Sequence, residues 1–102
     1  MDNNKIDNFN SLMEEIRNNR KIKQEELKNA ILEVNQEAIF VTGHDDAIAG
    51  YDTKGRVIYF YEHIIATLMH RDKMTEQEAI EFFDFNIECA YVGENTPIYM
   101  YE

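Results

Sequence analysis

The histidines and acidic residues of the chain are the first side chains to weigh for chemistry, as ligands of a metal ion. His44, Asp45 and Asp46 are consecutive, and His63 and His70 lie seven residues apart. Seven residues span about 10.5 Å along a helix, too far for both side chains to bind one ion, and the i, i+4 spacing typical of metal-binding helices is absent. The HDD sequence looks like part of a phosphohydrolase signature, but the remaining ligands are missing, and Asp-rich turns are common. The sequence therefore favours turn acids and surface histidines, without a metal or a cofactor.

Covalent catalysis has few candidate residues. Cys89 is the only cysteine and falls on the apolar side of a predicted helix, where a thiol behaves as a small inert hydrophobe. Ser11 is the only serine, and it lies in an N-terminal amphipathic segment with no histidine near it. The four glycines occur at predicted turns or strand kinks and form no phosphate-binding loop. We therefore expect a protein that is not an enzyme and has no catalytic residues.

Acidic charge is the strongest global signal. The chain of 102 residues carries 20 acids and 10 bases, for a formal net charge of −10. Residues 74–102 contain seven acids and no base. Binding to nucleic acid or to an anionic membrane requires Lys and Arg, so the charge argues against both and is compatible with a basic protein partner. The bland alternative is that the acids only keep the protein soluble.

Two sets of side chains are candidates for binding a partner. One is an acidic strip along a predicted helix together with the loop that follows it: Glu81, Asp84, Glu88 and Glu94. The other is a tyrosine patch, since alternation along the predicted strands puts tyrosines on one face and Ile, Phe and Met on the other. If the helices cover the Ile, Phe and Met face, the exposed face presents Tyr59, Tyr61, Tyr99 and Tyr101. Tyrosine is enriched in recognition surfaces; the alternative is that these rings merely cover the open side of the sheet.

The elements that position these residues begin with a helical region over 1–37. Ile6, Phe9, Met13 and Ile16 repeat at helical spacing, and the apolar pattern resumes at Leu27. The polar sequence NNRK between these segments favours two antiparallel helices with a turn near Asn18–Asn19, because asparagine tolerates the conformation that ends helices. The alternative is one long helix. Either form leaves an apolar stripe that covers the rest of the domain or pairs with a second copy as a homodimer.

Residues 38–102 predict the α+β core. Ala38–Thr42 and Ala47–Tyr51 are predicted strands, and the DTKG turn joins the second of them to a third, Arg56–Tyr61, as a hairpin. Two helices follow, over Glu62–Arg71 and Met74–Tyr91, and then a last strand over Ile98–Tyr101. The second helix begins with a capping box between Thr75 and Glu78. Its core residues are predicted to be Ile80, Phe82, Phe83, Phe85 and Ile87. The predicted fold is a small antiparallel sheet with helices on one face, in a single cooperative unit with the N-terminal region.

Residues 45–100 are similar to a group of short proteins from phages, prophages and plasmids. The similarity lies in the sequences IAGY, YFYEHII, RDKMTEQEAIEFFDFN and AYVGENTPI. Its most specific part is the pattern M-T-x-x-E-A-x-E-F-F-x-F-N-x-x-x-A-Y-x-G-E-x-T-P, which begins at Met74. The resemblance implies a small accessory protein of a mobile element. It carries over no catalytic residue and does not cover the N-terminal third.

Charge and resemblance together favour one hypothesis about function. The chain is expected to act in the cytoplasm of a bacterial host by binding and inhibiting a basic, nucleic-acid-binding defence protein, such as a CRISPR effector. In this anti-CRISPR or anti-defence role, its carboxylates would mimic the phosphates of DNA. The alternatives are a binding protein for a small nucleotide signal and a self-associating regulatory protein of the element. No segment approaches the ~18 apolar residues of a membrane span.

Overall fold

The computed structural model describes the backbone of residues 3–102 and the side chains of residues 11, 12, 14, 15 and 22–102. Its order is helix α1 (Asn3–Val34), strands β1 (Ile48–Tyr51) and β2 (Val57–Phe60), helix α2 (Tyr61–His70), helix α3 (Glu76–Phe82), a π-helix (Phe83–Glu88) and strand β3 (Ile98–Met100). The α+β fold predicted from the sequence is confirmed. In the part of the chain that the structure describes, no helix is long and apolar enough to cross a membrane.

Helix α1 runs without a break through Asn18 and Asn19. The prediction of two antiparallel helices with a turn at this point is therefore wrong, and the alternative of one long helix is correct. The physical reason is that residues 1–37 contain neither glycine nor proline. Asparagine within a helix costs only roughly 0.7 kcal/mol or less relative to alanine, which is too little to end the helix.

Only the last third of α1 is seen to pack on the rest of the molecule. Ile31 is completely buried in the core. One turn and two turns earlier, the Lys28 ammonium is paired with the Asp45 carboxylate at 3.0 Å and the Gln24 amide donates to the Asp45 carbonyl at 2.6 Å. The described side chains before Gln24 are all exposed: Ser11, Leu12, Glu14, Glu15, Ile22 and Lys23.

The predicted strand over Ala38–Thr42 does not form, and these residues cross the molecule as an extended loop without strand pairing. One cause is visible at Val41, whose backbone N–H donates to the Tyr59 hydroxyl at 2.7 Å. A side chain thus takes the donor that a sheet partner would otherwise use. The apolar residues of this segment pack on the core without joining the sheet.

The predicted hairpin is confirmed, with β1 and β2 antiparallel. Asp52 organises its turn, because Oδ1 accepts from the N–H groups of Lys54 at 3.0 Å and Arg56 at 2.8 Å. These backbone hydrogen bonds, followed by the Arg56 side chain, lower the pKa of Asp52. Gly55 completes the turn with φ +80°, a conformation that side chains rarely adopt.

The sheet is mixed, and the prediction that it is wholly antiparallel needs correction. Its strand order is β1-β2-β3, and β3 pairs with β2 in parallel, with Tyr59 opposite Tyr99. A parallel pair needs a long crossover connection, and here the connection contains α2, α3 and the π-helix. The two predicted helices between these strands are what make the parallel pairing possible.

The core lies between these helices and one face of the sheet. The sheet contributes Val57 and Tyr59, both fully buried, while Ile58 and Phe60 on the other face are half-buried. Helix α2 contributes Ile64, Ile65 and Leu68. Helix α3 begins with the predicted capping box, in which the Thr75 hydroxyl accepts from the Glu78 N–H at 3.2 Å and the Glu78 carboxylate accepts from the Thr75 N–H at 3.0 Å.

Candidate functional site

The acidic strip lies on the helical segment that contains α3 and the π-helix. Glu81, Asp84 and Glu88 are all exposed, as predicted. Their surroundings differ, however. Glu81 lines a shallow depression together with Phe82 and Phe85, whereas Asp84 and Glu88 lie within electrostatic reach of the Tyr61 hydroxyl.

The aromatic residues of this segment do not all face the core. At about 100° per residue, Phe85 lies about 160° from Phe83 around the helix axis, so the two rings point in nearly opposite directions. Phe83 and Ile87 keep their predicted places in the core, and Ile80 is half-buried against it. Phe85 is 77% exposed and Phe82 38% exposed, so the prediction that both belong to the core is wrong.

Cys89, just after the π-helix, is also exposed. The prediction that it lies on the apolar side of the helix is wrong, because at about 100° per residue Cys89 lies about 120° or more from the buried Phe83 and Ile87. Its neighbours Tyr91 and Val92 are exposed too, by 79% and 53%. The end of the π-helix and the loop after it therefore form a surface that is both apolar and acidic.

The tyrosine patch lies mainly on the core face of the sheet, opposite to the prediction. Tyr59 is fully buried, and Tyr61 and Tyr99 are half-buried. Tyr99 stacks on Tyr59 with ring centres 5.9 Å apart and meets the edge of Phe83 at 5.1 Å. Burial raises the pKa of Tyr59 and of Tyr99. These rings form an aromatic core layer and not an exposed patch.

Tyr101 is the one member of the predicted patch that is mostly exposed, by 67%. Its ring lies 4.6 Å from that of Tyr61. Burial, followed by Tyr101, Asp84 and nearby glutamates, raises the pKa of Tyr61. The pair of rings and the two carboxylates Asp84 and Glu88 therefore share one flank of the π-helix.

Glu94 lies apart from the other candidate acids. It is exposed and lines a cleft of about 600 Å³ with Lys54, Arg56 and Tyr91. The Arg56 guanidinium in this cleft is already paired with Asp52 at 2.6 Å. The cleft thus has mixed charge, unlike the surface around Phe85.

The three histidines differ in burial. His44 is 4% exposed, and its Nδ1 has no hydrogen-bond partner, whereas His63 and His70 on α2 are exposed. Burial, and next the charge of Arg71, lower the pKa of His44. Among the side chains that the structure describes, no three His, Cys, Asp or Glu residues are placed to hold a metal ion.

Sequence reasoning missed the residues of an apolar pocket beside the π-helix, which is lined by Ile39, Phe40, Val41, Asn86, Ile87, Ala90, Val92, Pro97 and Tyr99. The sequence did contain a signal for the exposed aromatic side chains of the neighbouring depression. Phe82, Phe83 and Phe85 point in three directions on any helix, so they cannot all face one core.

The chain matches no protein-family model, no curated protein and no solved structure.

Proposed function

We propose that this chain is a non-enzymatic protein of a mobile genetic element that binds and inhibits a host protein in the bacterial cytoplasm. The target is a basic, nucleic-acid-binding defence component, such as a CRISPR effector. The observation that carries the proposal is the exposure of Glu81, Asp84 and Glu88 on a segment without any Lys or Arg. The partner surface is the acidic and aromatic surface of α3 and the π-helix.

Electrostatics explains how such a surface inhibits its target. Proteins that bind nucleic acid present Lys and Arg to phosphates, and the attraction supplies much of their affinity. Carboxylates one helical turn apart, about 5.4 Å, can occupy the same groove and compete with phosphates. Exposed aromatic rings beside them add apolar contact, which charge alone does not provide.

The test is a pull-down from host lysate followed by affinity measurement with the recovered protein. Replacing Glu81→Lys and Asp84→Lys together is expected to weaken binding at least tenfold. The matched control is Glu25→Lys with Glu26→Lys, which changes the net charge equally on exposed positions of α1. The control is expected to retain most of the affinity, because α1 lies outside the proposed surface.

Salt supplies a second measurement on the same complex. A charge-driven complex weakens and associates more slowly as ionic strength rises. Recovery of no basic nucleic-acid-binding protein, or equal affinity for both double variants and the unchanged chain, would overturn the proposal.

A second candidate function is binding of a small nucleotide signal in the cleft beside Glu94. The observation that supports it is that the cleft is lined by Lys54 and Arg56, two of the four bases in residues 38–102, together with Tyr91 and Thr96. Phosphates favour the cations, and the Tyr91 ring can stack on a base. A thermal-shift screen with nucleotides tests this function, and Lys54→Glu is expected to abolish any rise in melting temperature.

Self-association is a third candidate, supported by the exposed Leu12 and Ile22 on α1. Both are 54% exposed, and among the side chains of α1 that the structure describes, Gln24 is the first to hydrogen-bond to another element. Pairing of two copies through their N-terminal helices would cover this apolar surface. Light scattering measures the mass of the assembly directly.

A further inference from the structure

A small apolar pocket opens where the π-helix ends. Its volume is about 170 Å³, and its walls are the 39–41 segment, the end of the π-helix and the loop before β3. An apolar cavity of roughly 150 Å³ is large enough to hold a benzene molecule. The pocket therefore has room for one aromatic or branched apolar side chain.

The pocket and the depression around Phe85 share one lining residue, Asn86, whose side-chain amide donates to the Phe82 carbonyl at 3.2 Å. The depression is bordered by Met74, Phe82 and Phe85. We call the pocket and the depression together the Asn86 groove. Exposed apolar surface of this kind marks interaction sites in soluble proteins.

The charged side chains on the helical wall of the Asn86 groove are acidic. Glu78 and Glu81 line the depression, and no base follows Lys73 in the chain. On the opposite wall, Lys28 lies 5.0 Å from the centre of the Phe40 ring but is paired with Asp45. The electrostatic field along the helical wall therefore favours a positively charged occupant.

We propose that the Asn86 groove binds a short cationic segment of a partner protein, with one aromatic side chain seated in the pocket. Lys or Arg residues flanking that side chain donate to the carboxylates of Glu78 and Glu81. This assignment rests on the proposed function and specifies the chemistry of the partner. The aromatic anchor supplies the apolar contact, since anchors that fill pockets dominate interface energetics, and the carboxylates select the charge of the segment.

Three synthetic peptides test the groove without any knowledge of the natural partner. Each is added at low salt to the ¹⁵N-labelled full chain, and amide shifts are followed by NMR. Ac-KKWKK-NH2 is expected to bind at least ten times more tightly than Ac-KKAKK-NH2 or Ac-EEWEE-NH2. Its shifts are expected at Asn86, Ala90 and Val92. Equal affinity for the alanine peptide or for the acidic peptide would overturn the proposal, as would shifts confined to the Lys54 cleft.

Two variants then test the contribution of the pocket to peptide binding separately from that of the charges. Ala90→Trp fills the pocket from an exposed position on its wall, and Phe85→Ala removes an aromatic ring that is already 77% exposed. Both are expected to weaken Ac-KKWKK-NH2 at least fivefold. The matched control Tyr51→Ala removes a ring that is 40% exposed on β1, outside the groove, and is expected to leave the affinity unchanged. Folding is checked by circular dichroism, and a folded Phe85→Ala that binds as tightly as the unchanged chain contradicts the proposal.

The outcome for the groove can be distinguished from the outcome for the proposed function. Suppose that a host partner no longer binds the double variant Glu81→Lys with Asp84→Lys. If it binds Phe85→Ala and Ala90→Trp normally, the result supports the function and overturns the groove assignment. Selective binding of Ac-KKWKK-NH2 without a basic host partner in the pull-down supports the groove and overturns the function.

Discussion

Tyr59 joins the central strand to the loop that runs beside it. Its ring is fully buried, and its hydroxyl accepts the Val41 N–H at 2.7 Å. Sequence alternation correctly placed Tyr59 and Tyr99 on the same face of the sheet. It could not decide which face is covered, because the residues on both faces are apolar or aromatic, and packing by the helices makes that choice.

Tyr59→Phe is expected to lower the free energy of unfolding by about 1–3 kcal/mol, since the Val41 N–H loses its buried acceptor. Urea denaturation measures the change, and hydrogen exchange at the Val41 amide is expected to accelerate. Tyr51→Phe is the matched control, because Tyr51 is 40% exposed. Equal stability of Tyr59→Phe and the unchanged chain would show that this hydrogen bond contributes nothing.

His44 couples stability to pH. Burial, and next the charge of Arg71, lower its pKa below the usual value of a histidine, while Asp72 and Asp45 act in the opposite direction. As pH falls, the unfolded chain therefore binds the proton before the folded chain does. The free energy of unfolding consequently decreases as pH falls through and below the unfolded pKa.

Urea denaturation at about pH 7 and about pH 5.5 measures this loss above the range where most carboxylates titrate. His44→Leu is expected to lose less stability than the unchanged chain over that interval. Identical losses for His44→Leu and the unchanged chain would contradict the role of His44.

At the scale of elements, the sequence predicts a helix cap and a turn directly, but it does not show which side of a helix is buried. The Thr75 cap and the DTKG turn each depend on a few adjacent residues, so the sequence specifies them locally. The spacing of Phe82, Phe83 and Phe85 places their side chains in three directions, and only tertiary packing decides which direction is buried. The predicted core positions Phe82 and Phe85 were wrong for that reason.

Gly55 is the point where α1, the hairpin turn and the loop before β3 meet. The Asn35 side-chain amide donates to the Gly55 carbonyl at 3.3 Å and to the Asn95 side chain at 2.8 Å. A Cβ atom at Gly55 would collide with the Asn35 side chain and lie 3.2 Å from Val34. Both the contact and the positive φ require glycine.

Gly55→Ala is expected to lower the free energy of unfolding by roughly 2–4 kcal/mol, from the positive φ and the overpacking together. Gly93→Ala is the matched control, because Gly93 has φ +95° but nothing within 4 Å of the added Cβ. That variant is expected to lower the free energy of unfolding by only about 1–2 kcal/mol, which is the cost of the positive φ alone. Equal losses in thermal or urea denaturation would mean that the contact with Asn35 has no energetic effect.

Leu12→Ala, at an exposed position of α1, is expected to change the free energy of unfolding by no more than about 0.5 kcal/mol, as for surface changes generally. Ile31→Ala, at a completely buried position of the same helix, is the contrasting variant and is expected to cost about 2–5 kcal/mol. Light scattering on the full chain and on the chain without residues 1–20 tests self-association: a dimer that becomes a monomer on deletion supports pairing through α1, and a monomeric full chain contradicts it.

At the scale of the whole molecule, charge is the property that the sequence predicts most directly. The formal net charge is −10, and all seven charged residues after Lys73 are acidic. Self-repulsion of this kind destabilises a compact state and is screened by salt, with a Debye length of about 10 Å at 0.1 M. The isolated chain should therefore show the effect without any partner.

The melting temperature is expected to rise as NaCl is increased from about 20 mM to about 500 mM, because screening relieves the repulsion. The double variant Glu81→Lys with Asp84→Lys is expected to melt higher at low salt and to respond less to added salt. The control Glu25→Lys with Glu26→Lys changes the net charge equally, but it acts on α1, where bases are already interspersed. Its effect is expected to be smaller. Equal effects of the two double variants would mean that only net charge matters and that the acids around the π-helix do not repel one another locally.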